Sequence, residues 1–182
     1  MAASVEDPRR GGRAVRRVVY DEATVQARVR ALAGDITRAF AGADDLLVLG
    51  LLKGSFIFVA DLVRHIELPL QVDFLVASSY GAAKESRGDV RLLYDPTSPL
   101  EGRAVLVVED IIDSGTTLEK VLPQLASRGP ASLEVCALLH KRLKPVDLEP
   151  RWVGFDAPNE FLVGYGLDYA EDFRHLPYIA SL

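Results

Sequence analysis

The stretch Val105-Leu106-Val107-Val108-Glu109-Asp110-Ile111-Ile112-Asp113-Ser114-Gly115-Thr116-Thr117-Leu118 constrains the fold more than any other part of the chain. Its first four residues are apolar and mostly β-branched, which predicts a strand buried on both faces, with Glu109 and Asp110 where that strand would leave the sheet. Leu118, Val121, Leu122 and Leu125 then recur at helical spacing, and Gly129-Pro130 closes the pattern. The unit is strand, polar loop, helix.

The loop's composition indicates what it can hold. A helix start leaves backbone N–H groups unpaired and carries partial positive charge. Gly115 lets a ligand approach the backbone, and Ser114, Thr116 and Thr117 add hydroxyl donors, so the loop suits a phosphate. Glu109, Asp110 and Asp113 would repel a phosphate unless they accept from sugar hydroxyls, hold Mg²⁺ or take a proton from a reacting base. A phosphorylated sugar with a metal satisfies all three roles. The plainer reading makes Asp113 or Ser114 a helix N-cap contributing about 1 kcal/mol. That reading leaves an acidic pair at the end of an apolar strand unexplained. The loop has neither the lysine of a P-loop nor the glycine triplet of a dinucleotide fingerprint.

At 182 residues the chain suits one compact domain, burying about 70% of its unfolded surface. A net charge of −5 gives no basic field to draw nucleic acid or an anionic membrane, so small ligands are the expected partners. The single Cys136 lies in the apolar run Leu133 to Leu139, where a buried inert thiol is expected, and it excludes an internal disulfide. With no apolar run of transmembrane length and no secretion-like segment at the N-terminus, a soluble cytoplasmic protein is expected. Residues 1–17 carry Arg9, Arg10, Arg13, Arg16, Arg17, Gly11 and Gly12, a composition that buries little and predicts a flexible basic arm before a single domain over 18–182.

In chain order, Val25, Val29, Leu32, Ile36 and Phe40 predict an amphipathic helix over 22–40 with Asp21 as N-cap. Leu46 to Leu52 is a second buried strand; Lys53-Gly54-Ser55 follows, then a helical pattern from Phe56 to Ile66. Lys53 beside a glycine and a helix start suits an anion, against the alternative of a surface lysine. Val72, Phe74 and Val76 alternate toward Ser79-Tyr80, and residues 82–89 read as a mobile loop of the kind that closes over ligands. Short strands are predicted over 91–94, 132–139, 152–155 and 161–165, and a short helix over 168–173. This alternation predicts an α/β fold: a doubly wound, mainly parallel sheet flanked by helices, with the crevice at the carboxyl ends of the strands. His65, His140 and His175 have no metal-ligand spacing and read as structural.

The stretch from Val107 to Leu118 resembles the phosphoribosyl-pyrophosphate (PRPP) motif of the type I phosphoribosyltransferases. With Leu52-Lys53-Gly54, Ser79-Tyr80, Leu139-His140-Lys141-Arg142, Phe161 to Tyr169 and Phe173-Arg174, the similarity extends over about residues 20 to 180 to the hypoxanthine-guanine members of that family. The resemblance implies a small hood formed by the chain ends, with elements near 140–182. It also implies Mg²⁺-dependent transfer of 5-phosphoribose from PRPP to N9 of hypoxanthine or guanine, giving IMP or GMP and pyrophosphate, by a homodimer or homotetramer.

By the same resemblance, Glu109 and Asp110 face the ribose hydroxyls and metal, Asp113 handles the purine N7 proton, and Ser114, Gly115, Thr116 and Thr117 cradle the 5′-phosphate. Lys53, Gly54 and Arg174 would meet pyrophosphate, Ser79 and Tyr80 would form a lid, and Asp168 would be a further Mg²⁺ ligand or, alternatively, a helix N-cap. Lys141, Phe161 and Leu162 would choose the base. A lysine ammonium donates and never accepts, so it selects a 6-oxo group over the adenine amino group. Phe161 offers a ring to stack on the base, or else is a core aromatic, and Leu162 offers backbone groups. Thr116 stands where some relatives have lysine, leaving the cradle with less side-chain charge. Two rivals stand beside this reading: a xanthine-preferring enzyme, and a PRPP-sensing, RNA-binding regulator of the same fold, which would need a basic RNA-facing surface.

Overall fold

The computed structural model describes residues 7–79, 90–143 and 149–182. In chain order the elements are β1 (Arg17–Tyr20), α1 (Glu22–Ala39), β2 (Leu46–Leu52), α2 (Phe56–Val63), β3 (Leu70–Ser79), β4 (Val90–Tyr94), β5 (Ala104–Ile112), α3 (Thr116–Ala126), β6 (Ser132–His140), β7 (Trp152–Asp156), β8 (Leu162–Val163) and β9 (Ile179–Ser181). Six strands make one sheet in the order β4-β3-β2-β5-β6-β7, parallel throughout except for β4, which runs antiparallel along β3.

The near-continuous apolar strands follow from cover on both faces. Leu46, Val48, Leu106, Val108, Cys136 and Leu138 pack with the buried faces of α1 and α2. Their alternates Leu47, Leu49, Val105, Val107, Val135 and Ala137 pack with Leu118, Val121, Leu122 and Leu125 of α3. Each such Leu or Val removed from water contributes roughly 1.5–3 kcal/mol. The Asp21 carboxylate accepts from the Thr24 backbone N–H at 2.8 Å, so α1 begins where its cap was expected. Burial pushes the Cys136 thiol up to about 12, which leaves it inert at neutral pH.

A second, three-stranded antiparallel sheet in the order β1-β9-β8 joins the first and last segments of the fold as the hood. The sheet and the turn after β8 are tied to the main body by side chains. Tyr20 stacks on Phe155 with ring centroids 4.1 Å apart, and the Tyr165 hydroxyl donates to Asp61 of α2 at 2.6 Å. Residues 7–17, expected as an arm, lie along this hood: the Arg16 N–H donates to the Ser181 carbonyl at 2.8 Å, and Arg10 Nε donates to the Tyr178 hydroxyl at 2.9 Å.

Three local expectations differ from what is observed. β5 does not end at Val108; it stays paired with β6 through Ile112, carrying Glu109 and Asp110 inside the ladder. The run 161–165 shrinks to Leu162–Val163, because Gly164, Tyr165 and Gly166 all take positive φ and turn the chain. Residues 168–173 form no helix, since Ala170, Glu171 and Phe173 have φ of 52°, 67° and 74° and Tyr169 pairs with Asp172 as an isolated bridge. No helix among the described residues is long and apolar enough to cross a membrane.

Candidate active site

β2 leads through α2 to β3 on one side of the sheet, and β5 leads through α3 to β6 on the other. Strand order therefore reverses between β2 and β5, and the crevice at such a switch point is where α/β sheets bind ligands. The turn Lys53 to Ser55, the stretch Glu109 to Thr117 and Lys141 after β6 all fall on this one edge, and the hood residues 161–174 cover it.

Glu109 and Asp110 are only 9% and 8% exposed. They open onto different cavities: Glu109 lines one with residues 111–118, and Asp110 one with Lys141 and the hood. Burial, with the negative Asp110 beside it, pushes the Glu109 carboxyl well above its usual range, and burial raises Asp110 as well. The Ile111 N–H donates to Asp110 Oδ1 at 2.9 Å, whereas Glu109 Oε2 is buried without a partner. A buried, unsatisfied carboxylate oxygen is costly unless a cation or donor arrives. Two carboxylates do not make a closed cage, and the described residues contain no cluster of three metal-binding side chains. An ion that keeps several waters and uses one or two carboxylates with substrate oxygens, as Mg²⁺ does, fits this donor set.

Past β5 the chain turns into α3 through Gly115, the helix N-cap, at φ 79°. Neither Asp113 nor Ser114 caps the helix; no side chain claims its first N–H groups, which stay available to a ligand. The Ser114 and Thr116 hydroxyls lie 3.0 Å apart over a cavity of about 90 Å³ lined by Glu109 and residues 111–118. Its dimensions and donors suit a phosphate.

A second cavity, about 210 Å³, shares Ile111 and Asp113 with the first and adds Asp110, Lys141, Phe161, Leu162, Leu167 and Asp168. Lys141 is held in place by its backbone N–H on the Ile112 carbonyl at 3.0 Å. Its side chain, 11% exposed, reaches Asp113 Oδ2 at 3.0 Å, whereas Asp113 itself is 56% exposed. Phe161 presents an exposed ring with Tyr169 edge-on at 5.6 Å, so it is not a core aromatic. The cavity thus offers a flat apolar face and a fixed ammonium donor.

The hood turn brings together the remaining residues. Glu171, which the sequence did not single out, places both carboxylate oxygens 3.2 Å from Lys53 Nζ and one 3.4 Å from Arg174 Nη2. Lys53 first, then Arg174, holds the Glu171 carboxyl below its usual range. Asp168 pairs with Arg174 at 2.7 Å and accepts from the Glu171 N–H at 2.8 Å, so it closes a turn and caps no helix. Arg174 Nη1 also donates to the Gly166 carbonyl at 2.8 Å. Gly54 and Gly166 are joints: a Cβ on Gly54 would collide with the Asp110 carboxylate, and one on Gly166 with the Gly54 carbonyl. Gly166 was also passed over in the sequence, where only a positive-φ position could have marked it. Ser79 ends β3, and Tyr80 and the loop 82–89 lie outside the described residues.

A doubly wound sheet whose switch point joins a phosphate-sized cradle, a buried acid pair and a flat donor-bearing cavity defines a class, an α/β protein with its ligand crevice at the carboxyl ends of the strands. The chain belongs to the phosphoribosyl transferase family: the phosphoribosyl transferase domain matches residues 18–170. It is 46% identical over 167 residues to a hypoxanthine phosphoribosyltransferase of Salmonella typhimurium, covering 91% of this chain and 94% of that one. To a hypoxanthine-guanine phosphoribosyltransferase of Dictyostelium discoideum it is 42% identical over 172 residues, covering 92% and 95%. A crystal structure of a hypoxanthine-guanine phosphoribosyltransferase from Bacillus anthracis superposes with a TM-score of 0.87 at 45% identity, covering 93% of this chain and 99% of that one.

Proposed function

We propose that the protein is a purine salvage enzyme that transfers 5-phosphoribose from PRPP to N9 of hypoxanthine or guanine, releasing IMP or GMP and pyrophosphate. The observation that carries this reading is the Lys141–Asp113 pair at 3.0 Å, set where the phosphate-sized cavity meets the flat one. Lys141 uses one donor on Asp113 and directs the others at a 6-oxo group, which an adenine amino group cannot replace. Phe161 stacks on the ring, and Leu162 offers backbone groups to its 2-position.

In the proposed reaction the C1′–N9 bond forms as the bond from C1′ to the pyrophosphate oxygen breaks. The proton that the purine must lose passes from N7 to Asp113, whose Oδ1 is left available by the hold of Lys141 on Oδ2. Ser114 to Thr117 and the start of α3 hold the 5′-phosphate, and Lys53, Gly54 and Arg174 receive pyrophosphate by displacing Glu171. Ser79 and Tyr80 are proposed to exclude water, which would otherwise hydrolyse a ribosyl cation. Glu109 and Asp110, with Asp168 at a second position, would hold Mg²⁺, which supplies positive charge against the pyrophosphate oxygens when bound. The working form is proposed to be a cytoplasmic homodimer or homotetramer.

The test is a spectrophotometric assay with PRPP and Mg²⁺, offering hypoxanthine, guanine, xanthine, adenine and uracil one at a time. Turnover of hypoxanthine and guanine, abolished by a chelator, is the expected result. Turnover of xanthine alone would move the base preference. Turnover of no base, together with tight, salt-sensitive RNA binding, would overturn the assignment in favour of a regulator.

A further inference from the structure

The turn that carries Asp168 and Arg174 is bonded on its inner side through Arg174 and Glu171 but belongs to no helix or strand. It contains three non-glycine residues at positive φ and a single isolated bridge, and it rests on no strand of the main sheet. What backs it is the segment before β1. The Arg13 guanidinium pairs with the Asp172 carboxylate and lies over the Phe173 ring, 5.6 Å from its centroid. The Arg9 carbonyl lies 3.0 Å from His175 Nε2, and Val15 packs into the small cluster of Phe173, Leu176 and Tyr178. Residues 172, 173 and 175 are therefore all held from the outside, and Arg174 between them points inward to Gly166 and Asp168.

We infer that residues 7–17 are a clasp that positions Arg174 and Asp168, with Arg13 as its principal positioning residue, so that this arm sets affinity for the pyrophosphate end of PRPP. The inference rests on the reading of Arg174 as a pyrophosphate contact. The segment lies before the part of the chain matched by the family model, which begins at residue 18. It also accounts for the arginines: guanidinium groups can pair with a carboxylate and cover a ring at once, which lysines do less well. Arg13 and Asp172 are 54% and 47% exposed, so water and salt screen the pair and the clasp is weakened by ionic strength.

The experiment has two arms. Hydrogen exchange compares wild type with Arg13→Ala and Asp172→Asn: faster exchange of amides in 168–176, with β5 unchanged, is expected, and equal exchange overturns the clasp whatever the protein catalyses. Steady-state kinetics on the same proteins should show KM for PRPP raised about three-fold by Arg13→Ala, as fits one half-exposed pair. Removal of residues 1–14 should raise it about ten-fold, since the contacts act together. KM for the purine and kcat should stay within about two-fold. Arg13→Glu should be rescued by Asp172→Arg in the same chain, a restoration that a merely packed arm would not give. An unchanged PRPP KM in an active truncated enzyme, or an equal rise in both KM values, overturns the inference while leaving the proposed reaction standing. A wild type without turnover, but with the exchange difference present, defeats the reaction and keeps the clasp.

Discussion

Two turns of the same sequence pattern, β2 into α2 and β5 into α3, are built to opposite ends. The first is a closed joint. Ser55 is buried with its hydroxyl on the Leu51 carbonyl at 2.7 Å, Gly54 abuts Asp110 and Gly166, and Lys53 alone projects outward, paired with Glu171. The second is an open cradle, in which Asp113, Ser114 and Thr116 are exposed around a cavity and no side chain claims the start of the helix. A closed turn fixes where a charge is delivered; an open one leaves donors for something that arrives. Both begin as an apolar strand running into a small polar turn, so the difference comes from what the rest of the fold places against them.

The sharpest way to break this contrast is Asp113→Asn in the open turn, expected to lower turnover by about 10²-fold or more. Its thermal melt and PRPP KM should not move, and unchanged turnover would remove Asp113 from the chemistry. Gly54→Ala in the closed turn should instead cost stability, about 1–3 kcal/mol as overpacking does. A calorimetric scan checks it, and a full-strength melt would show that the joint has slack. Lys141→Ala should raise the purine KM about ten-fold, through loss of a charge-assisted hydrogen bond. It should raise the PRPP KM much less; equal losses would contradict a role in reading the base.

The smallest effect concerns pH. Burial raises the Glu109 pKa, so the folded protein retains a proton that the unfolded chain releases near the ordinary value of 4.5. Stability tied to Glu109 is present below that pH and is lost as pH rises toward the folded value. Melting of Glu109→Gln should therefore gain on metal-free wild type as pH increases from about 4.5, and Mg²⁺ should reverse the trend for wild type alone. A pH-independent difference would mean that the oxygen without a partner carries no penalty.

The main sheet, α1 and the 109–117 stretch were legible in the sequence because their signals are local: apolar runs, a cap, and consecutive site residues. The β5 boundary was misplaced because carboxylates disfavour strands on their own, and only pairing with β6 keeps Glu109 and Asp110 in the ladder. The false helix over 168–173 has the opposite cause. Ala170 and Glu171 favour helices, and nothing in their identity announces a positive φ imposed by the surrounding turn. Glu171 between Lys53 and Arg174, the approach of Gly166 to Gly54, and the seat of residues 7–17 all join segments distant in sequence. No window of residues contains them. The arm's composition predicted that it could bury little, yet Val15 and the faces of Phe173 and Tyr178 give its backbone and arginines a place to lie.

The pairing of β1 with β9 brings Arg17 opposite Ser181, whereas the main sheet is complete within residues 46–156. Closing so long a loop is entropically slow, and it becomes favourable only after the sheet has drawn the two segments near. The expected order of assembly is the sheet first, with its acidic pair and open turn, and the hood with Phe161, Arg174 and Glu171 last. A half-folded chain of that kind would have the open turn's cavity without the hood residues that cover the same edge. On refolding from denaturant, the return of helix and strand signals should run ahead of the return of turnover.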